Sequence, residues 1–380
     1  MNQKLVPVTL LTGYLGSGKT TVMNELLKKQ EGKKLALVVN DMGSINIDAS
    51  LLKKGNAVQM DIKMIELQNG CICCTLRDEF MEQMEQLAMD NDIEGILVEA
   101  SGISNPVSIA DGFQAYRELH EESVVRLNSI VTVVDVDRIY AEFIDELIEN
   151  QENTQEEEEG DPDIINLIID QIEFCNCILL NKCDLLDREK IEQVKHVIRQ
   201  IQADAKIIET VNGNVEADQI LNGKCFDYEK VLRSSAVQKA LEREKKSPDT
   251  HDEYGVSSFV YEERRPFQYD LFMKFVEQDY PETIIRAKGY LWFADDAMHV
   301  QLFEQAGRNA SVMEVSNWTA ALEEKEQAEL FALYPDVRED WDDNYGDRLN
   351  QIVFIGRGYD KEQMIECLNK CLLEEENANE

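Results

Sequence analysis

Gly13-Tyr14-Leu15-Gly16-Ser17-Gly18-Lys19-Thr20 matches the pattern G-x-x-x-x-G-K-[ST] at every fixed position. An apolar stretch over residues 6–11 precedes it, and a helix-like pattern over 21–28 follows, which is the context the pattern requires. The glycines let backbone N–H groups turn inward around phosphate oxygens at a helix N-terminus. Gly13, Gly16, Ser17, Gly18 and Thr21 are thereby expected to line a nucleotide's phosphates. Lys19 is expected to reach the β and γ phosphates, and the Thr20 hydroxyl to ligate Mg²⁺.

Two further stretches fall where a phosphate loop of this kind needs them. Asn181-Lys182-Cys183-Asp184 ends an apolar run and has the form N-K-x-D. A carboxylate at Asp184 accepts both the N1–H and the exocyclic amine of guanine, donors that adenine does not present there. Leaving a buried group of that kind unpaired discriminates by about 10⁴ or more, so GTP is the expected nucleotide. Ile96-Leu97-Val98-Glu99-Ala100-Ser101-Gly102 is a strand that ends in an acid and then a glycine. Glu99 stands where an acid holds Mg²⁺ through water, and Gly102 is expected to offer its N–H to the γ-phosphate. Lys19, Thr20 and Glu99 are the catalytic candidates, with Thr20 and Glu99 the magnesium pair.

Working outward, short apolar runs at 6–11, 35–40, 95–99, 130–135, 177–181 and 206–209 alternate with long amphipathic segments. Strands separated in this way need crossover connections, so the expectation is a mainly parallel sheet with helices on both faces. After a charged stretch, runs at 256–261, 290–293, 299–303, 312–315 and 351–355 follow one another with short gaps, which favours antiparallel pairing. Helical patterns cover 269–278, 320–333 and 361–373. The expected organisation is a P-loop α/β domain over 1–225, a linker over 226–254 and a smaller α+β domain over 255–380.

Asn69-Gly70-Cys71-Ile72-Cys73-Cys74 carries a different chemistry. Gly70 permits a sharp turn, and sulfurs at i, i+2 and i+3 converge on one tetrahedral ion at about 2.3 Å each. Cys71, Cys73 and Cys74 leave a fourth position open, which suits an ion that is received and released. Soft sulfur favours Zn²⁺ or Cu(I), with Co²⁺ and Ni²⁺ as further candidates, and excludes Mg²⁺ and Ca²⁺ as the thiolate-bound ion. The turn lies between the segment around Asn40 and Asp41, expected as the first switch, and Glu99 at the start of the second. Cys175, Cys177, Cys183, Cys367 and Cys371 read as core thiols. Of the four histidines, His251 in the linker is the candidate auxiliary ligand.

Composition narrows the partners. The 380 residues are 43% hydrophobic and 30% charged, as in globular proteins, and the formal charge is −37. Such a field repels phosphate backbones and anionic lipid heads, so neither nucleic acid nor membrane is an expected partner. Apolar runs are strand-length, and the start of the chain lacks the layout of a signal peptide, which predicts a cytoplasmic protein with reduced thiols.

With G-Y-L-G-S-G-K-T, N-D-M-G-S-I-N-I-D over Asn40 to Asp48, N-G-C-I-C-C, V-E-A-S-G and N-K-C-D in this order, the sequence resembles the CobW-type GTPases. That class includes the urease and hydrogenase nickel chaperones. Arg264-Arg265-Pro266-Phe267 and the stretch from Arg286 to Trp292 resemble the family's C-terminal domain. The resemblance implies GTP hydrolysis coupled to transfer of zinc or cobalt to client metalloproteins, with the metal at the C-x-C-C turn. Ser44 stands where family members often carry a carboxylate, so the fourth metal ligand is expected to be water or a client group. Two other functions fit the same residues: a regulatory module that senses metal or nucleotide, and a helper for cobalt insertion.

Overall fold

The computed structural model describes residues 5–29, 34–39, 64–66, 77–90, 93–120, 122–141, 144, 162–221, 226–227, 256–306, 309–333, 338 and 341–374. They form two compact units, each with its own sheet.

The first unit carries strands β1 (Val6–Thr12), β2 (Leu35–Val39), β3 (Met64–Glu66), β4 (Gly95–Glu99), β5 (Val125–Asp135), β6 (Cys177–Asn181) and β7 (Lys206–Glu209) in the order β3-β2-β4-β1-β5-β6-β7. Every pairing in this sheet is parallel. Parallel strands buried on both faces read as continuous apolar runs, and β4 and β6 are buried along their whole length. The connections carry helices α1 (Lys19–Lys29), α2 (Arg77–Asp90), α3 (Pro106–Leu119), α4 (Val136–Tyr140), α5 (Pro162–Glu173), α6 (Arg188–Ile201) and α7 (Ala217–Leu221).

Local chemistry starts several of these helices. Asn105 accepts from Val107 N at 2.9 Å with Pro106 at the first helical position, and Asp187 accepts from Lys190 N at 2.9 Å. Each satisfies a backbone donor that the first turn leaves without an intrahelical partner. On α6, Ile191, Val194, Ile198 and Ile201 recur at helical spacing and are buried. Among them β1, β2, β4 and α1 share one apolar core containing Leu11, Met23, Leu26, Leu37 and Leu97.

The second unit has strands β8 (Val256–Glu263), β9 (Ile284–Phe293), β10 (Asp296–Ala306), β11 (Asn309–Asn317) and β12 (Asn350–Arg357), in the order β11-β10-β9-β12-β8 and all antiparallel. One face of this sheet contributes Phe259, Tyr261, Phe303, Ile352 and Phe354 to a core closed by helices α8 (Tyr269–Lys274) and α10 (Lys361–Lys370). Asp360 caps α10 by accepting from Gln363 N at 3.0 Å.

The expected fold class is the one found, with differences in detail. Strand β3 is an addition, and it is too short to leave a periodic signal. β5 begins at Val125, ahead of the expected start at 130, because Val125 and Leu127 are buried beside β1 despite intervening polar residues. The helix expected over 269–278 widens after Lys274 into a π turn, Phe275–Asp279. The helix expected over 320–333 is split into a 3₁₀ turn, Thr319–Ala321, and α9 (Glu324–Leu333). Asp347 caps the short turn by accepting from Thr319 N at 2.8 Å and Ala320 N at 2.9 Å.

Candidate functional site

The loop between β1 and α1 sits at the carboxyl edge of the parallel sheet, where strand order turns from β4 to β5 on either side of β1. Open parallel sheets bind ligands at such a point. Gly13 and Gly18 adopt φ of 136° and 104°, which side chains rarely do. A Cβ at Gly13 would meet the Val133 carbonyl, and one at Gly18 would meet the Asn181 amide. Only glycine lets the loop lie this close to its neighbours. Above Gly16 the space is open.

Lys19, at the first position of α1, is largely buried. Its Nζ donates to Gly13 O at 2.8 Å and Tyr14 O at 3.3 Å, which folds the ammonium over the loop where phosphates would lie. Thr20 Oγ1 donates to Glu99 Oε1 at 3.1 Å, although these residues are far apart in the chain. Glu99 is 3% exposed at the end of β4. A hydroxyl beside a buried carboxylate at a phosphate loop is the hard-oxygen donor set that Mg²⁺ takes. Thr20 and Glu99 therefore fit the ion, which would neutralise phosphate charge. Ser17 is buried and Thr21 is exposed on the first turn of α1.

Residues 100–105 alone separate β4 from α3. Ala100 N donates to Leu11 O at 2.9 Å, and Ser104 N donates to Ser101 O at 3.0 Å. Gly102 packs directly on the phosphate loop: a Cβ there would lie 2.9 Å from Leu15 N. The glycine expected near the γ-phosphate is thus brought to the loop.

At the other side, Asn181 uses its whole amide inside the protein. Nδ2 donates to Ser17 O at 2.9 Å, while Oδ1 accepts from Thr210 Oγ1 at 2.9 Å and Gly213 N at 3.0 Å. Lys182 follows with φ of 63° and pairs through Nζ with Asp135 at the end of β5. The other Asp135 oxygen accepts from Asp137 N at 3.2 Å, which caps α4. Asp184 is exposed to solvent. Burial raises the Cys183 thiol above its ordinary value.

Sequence reasoning passed over Asp135, Thr210 and Gly213. The Asn212-Gly213 pair after β7 carried a turn signal, whereas nothing local marks Asp135 as a lysine's partner. It also passed over Gln171 on α5, which has no local signature. Asn40, Asp41, Ser44, Cys71, Cys73, Cys74 and His251 lie outside the described residues. The thiols expected in the core are there: burial raises Cys175 to about 12 and Cys177 to about 11. Cys371 is buried and raised to about 11, while Cys367 is partly buried on the same helix. Among the described residues no three metal-ligating side chains converge, and no helix is long and apolar enough to cross a membrane.

The sequence model of the CobW/HypB/UreG nucleotide-binding domain matches residues 7–209. The chain belongs to the CobW/HypB/UreG family of P-loop GTPases. The cobalamin synthesis protein cobW C-terminal domain matches residues 256–372, the span of the antiparallel unit and its helices. The zinc-regulated GTPase metalloprotein activator 1 of Dictyostelium discoideum is 32% identical, over 97% of this chain and 80% of its own length. A zinc chaperone CobW of a Sinorhizobium species is 32% identical, over 69% of this chain and 74% of its own. The crystal structure of Zn(II)-bound YjiA GTPase from E. coli is 18% identical, aligning over 98% of this chain and 100% of that one with a TM-score of 0.38.

As a member of this family the chain is a GTPase, and the residues at the carboxyl edge fit that chemistry. Lys19 bonds across the phosphate loop, and the Thr20–Glu99 pair is a donor set that suits a hard divalent ion.

Proposed function

We propose that this chain is a metallochaperone that binds zinc at Cys71, Cys73 and Cys74 and passes it to a client metalloprotein under control of the nucleotide. Gly13, Gly16, Ser17, Gly18, Lys19, Thr20, Thr21 and Gly102 hold the phosphates. Asn181, Lys182 and Asp184 serve the base, with Thr20 and Glu99 holding Mg²⁺. Cobalt is the second candidate for the thiolate site. Cytoplasmic location and the linker at 226–254 belong to the same proposal.

The observation that carries this reading is the register at the end of β3. Val39 pairs with Glu66 on one side and Glu99 on the other. Adjacent strands lie about 4.8 Å apart, so the backbone at Glu66 is about 10 Å across the sheet from that at Glu99, whose side chain meets Thr20. The sequence containing the three cysteines thus starts from the sheet edge that carries the nucleotide residues and rejoins the fold at α2. Segments that leave a sheet beside a nucleotide's γ-phosphate are the ones that reorganise when it is present or lost. The zinc proteins among the relatives support the choice of metal.

The test is equilibrium dialysis with zinc, followed by transfer to an apo zinc enzyme in the presence of GTP or GDP. One zinc per chain, lost on replacing the three cysteines with serine and released faster in one nucleotide state, is the expected result. Zinc retained by the triple variant would refute the site.

A further inference from the structure

Residues 101–104 form a turn whose carbonyls are held from outside. Gln171, in the last turn of α5 and 1% exposed, donates from Nε2 to Gly102 O at 3.2 Å and to Ser104 O at 3.1 Å. Its main-chain carbonyl accepts from Thr132 Oγ1 on β5 at 2.6 Å. One buried side chain therefore links the turn after β4 to the helix that packs beyond β5.

The consequence follows from peptide geometry. In a trans peptide the C=O and N–H point in opposite directions. Ser104 N holds Ser101 O at 3.0 Å, which fixes the plane of the peptide that carries the Gly102 N–H. Gln171 holds Gly102 O, which fixes the next plane. With Ala100 N bonded to Leu11 O and Asn105 capping α3, the turn is anchored at both ends as well. The pull of Gln171 also keeps Gly102 against Leu15, where a side chain would not fit.

We propose that Gln171 is a positioning residue for hydrolysis: it aims the Gly102 N–H at the γ-phosphate before GTP arrives, so that little reorganisation is left for the reacting state. This rests on the reading of Gly102 as the γ-phosphate donor. A small hollow of about 20 Å³ lined by Tyr14, Leu15, Ser17, Arg138, Ile168 and Gln171 lies between α5 and the phosphate loop. The two hydrogen bonds from Gln171 are side-chain contacts that hold the turn's carbonyls from outside it. Preorganised donors of this kind act on turnover more than on substrate binding.

The test compares Gln171→Met, which keeps length and burial without the donor, with Thr132→Val, an isosteric change that releases the Gln171 carbonyl. The full chain is assayed for kcat and KM with GTP, for GDP affinity and for thermal midpoint. Losing two hydrogen bonds of ordinary strength predicts a fall in kcat of about tenfold for Gln171→Met. Thr132→Val is expected to act in the same direction by about threefold, as one bond lost at a remove. KM and GDP affinity are expected to stay within about twofold, because GDP has no γ-phosphate to be aimed at. Equal loss of GTP and GDP affinity with a lowered midpoint would show a structural role only and overturn the proposal. So would unchanged kcat in both variants. Gly102→Ala separates the two levels: if it lowers kcat while the Gln171 and Thr132 variants do not, only the positioning role fails. If Gly102→Ala, which keeps the N–H but pushes the turn off Leu15, turns over normally, the exact placement of that N–H does not matter to hydrolysis and the role of Gln171 fails.

Discussion

Asn181 Nδ2 donates to the carbonyl of Ser17 at 2.9 Å, so the strand end that leads into base recognition is bonded to the middle of the phosphate loop. The same amide accepts from Thr210 and Gly213, which ties a third segment to that junction. Base and phosphate sites are thereby held at one spacing.

Asn181→Ala removes all three bonds and leaves Ser17 O, Thr210 Oγ1 and Gly213 N without that partner. Orphaned buried groups cost about 1–3 kcal/mol each before water relieves them, so the expected destabilisation is on the order of 3 kcal/mol. Urea unfolding measures it. GTP and GDP affinities are expected to fall together, since both ligands span the junction; a loss confined to GTP would contradict this role.

Lys19→Ala is expected to abolish GTP hydrolysis, because it removes the ammonium that lies on the phosphate loop and bonds Gly13 O and Tyr14 O. Asp184→Asn exchanges an acceptor for a donor and is expected to weaken GTP while admitting xanthine nucleotide. Calorimetry with GTP, ATP and xanthosine triphosphate checks both, and equal ATP and GTP affinity in the wild type would remove the base assignment.

Zinc and nucleotide affinities are expected to be coupled. Linkage makes the coupling reciprocal, typically about 1–3 kcal/mol or roughly 5- to 150-fold. The expected order is tighter zinc with GTP and looser zinc after hydrolysis, which lets hydrolysis drive delivery in one direction. Zinc titrated against a competing chelator in apo, GDP and non-hydrolysable GTP forms reads it directly. Identical affinities in all three would leave a GTPase with an uncoupled metal site. A cobalt form lacking sulfur-to-metal charge-transfer absorption would exclude Cys71, Cys73 and Cys74 as ligands.

Stability is expected to fall as pH rises above about 9. Burial lifts Cys175 from 9.0 to about 12 and Cys177 from 9.0 to about 11. Above 9 the unfolded chain loses these protons while the folded one keeps them, so the folded state is penalised by roughly 1.4 kcal/mol per pH unit per thiol until its own value is reached. Below 9 both states are protonated and the contribution is constant. Denaturant midpoints at pH 8 and 10.5, compared with Cys175→Ala, check the slope. The same burial predicts that neither thiol is alkylated in the folded protein at pH 8.

Much of this protein was readable along the chain because its decisive patterns are local. A phosphate loop needs its glycines, lysine and threonine within one turn between a strand and a helix, so Gly13 to Thr20 declared both chemistry and fold. Continuous apolar runs at β4 and β6 gave parallel strands, since burial on both faces leaves no alternation to read. N-K-C-D likewise sits whole in four consecutive residues, and three cysteines in four positions suggested a thiolate ion without any tertiary information. The folded chain decided the partners that lie far apart in sequence. Thr20 meets Glu99, Asn181 meets Ser17, Lys182 meets Asp135, and Gln171 reaches the carbonyls of Gly102 and Ser104. No periodicity marks such pairs, because each is created only when the strands order themselves β3-β2-β4-β1-β5-β6-β7 and bring their carboxyl ends to one edge. A glutamine on an apolar helix is anonymous in the sequence; burial without water is what makes its amide seek those carbonyls and gives it a role.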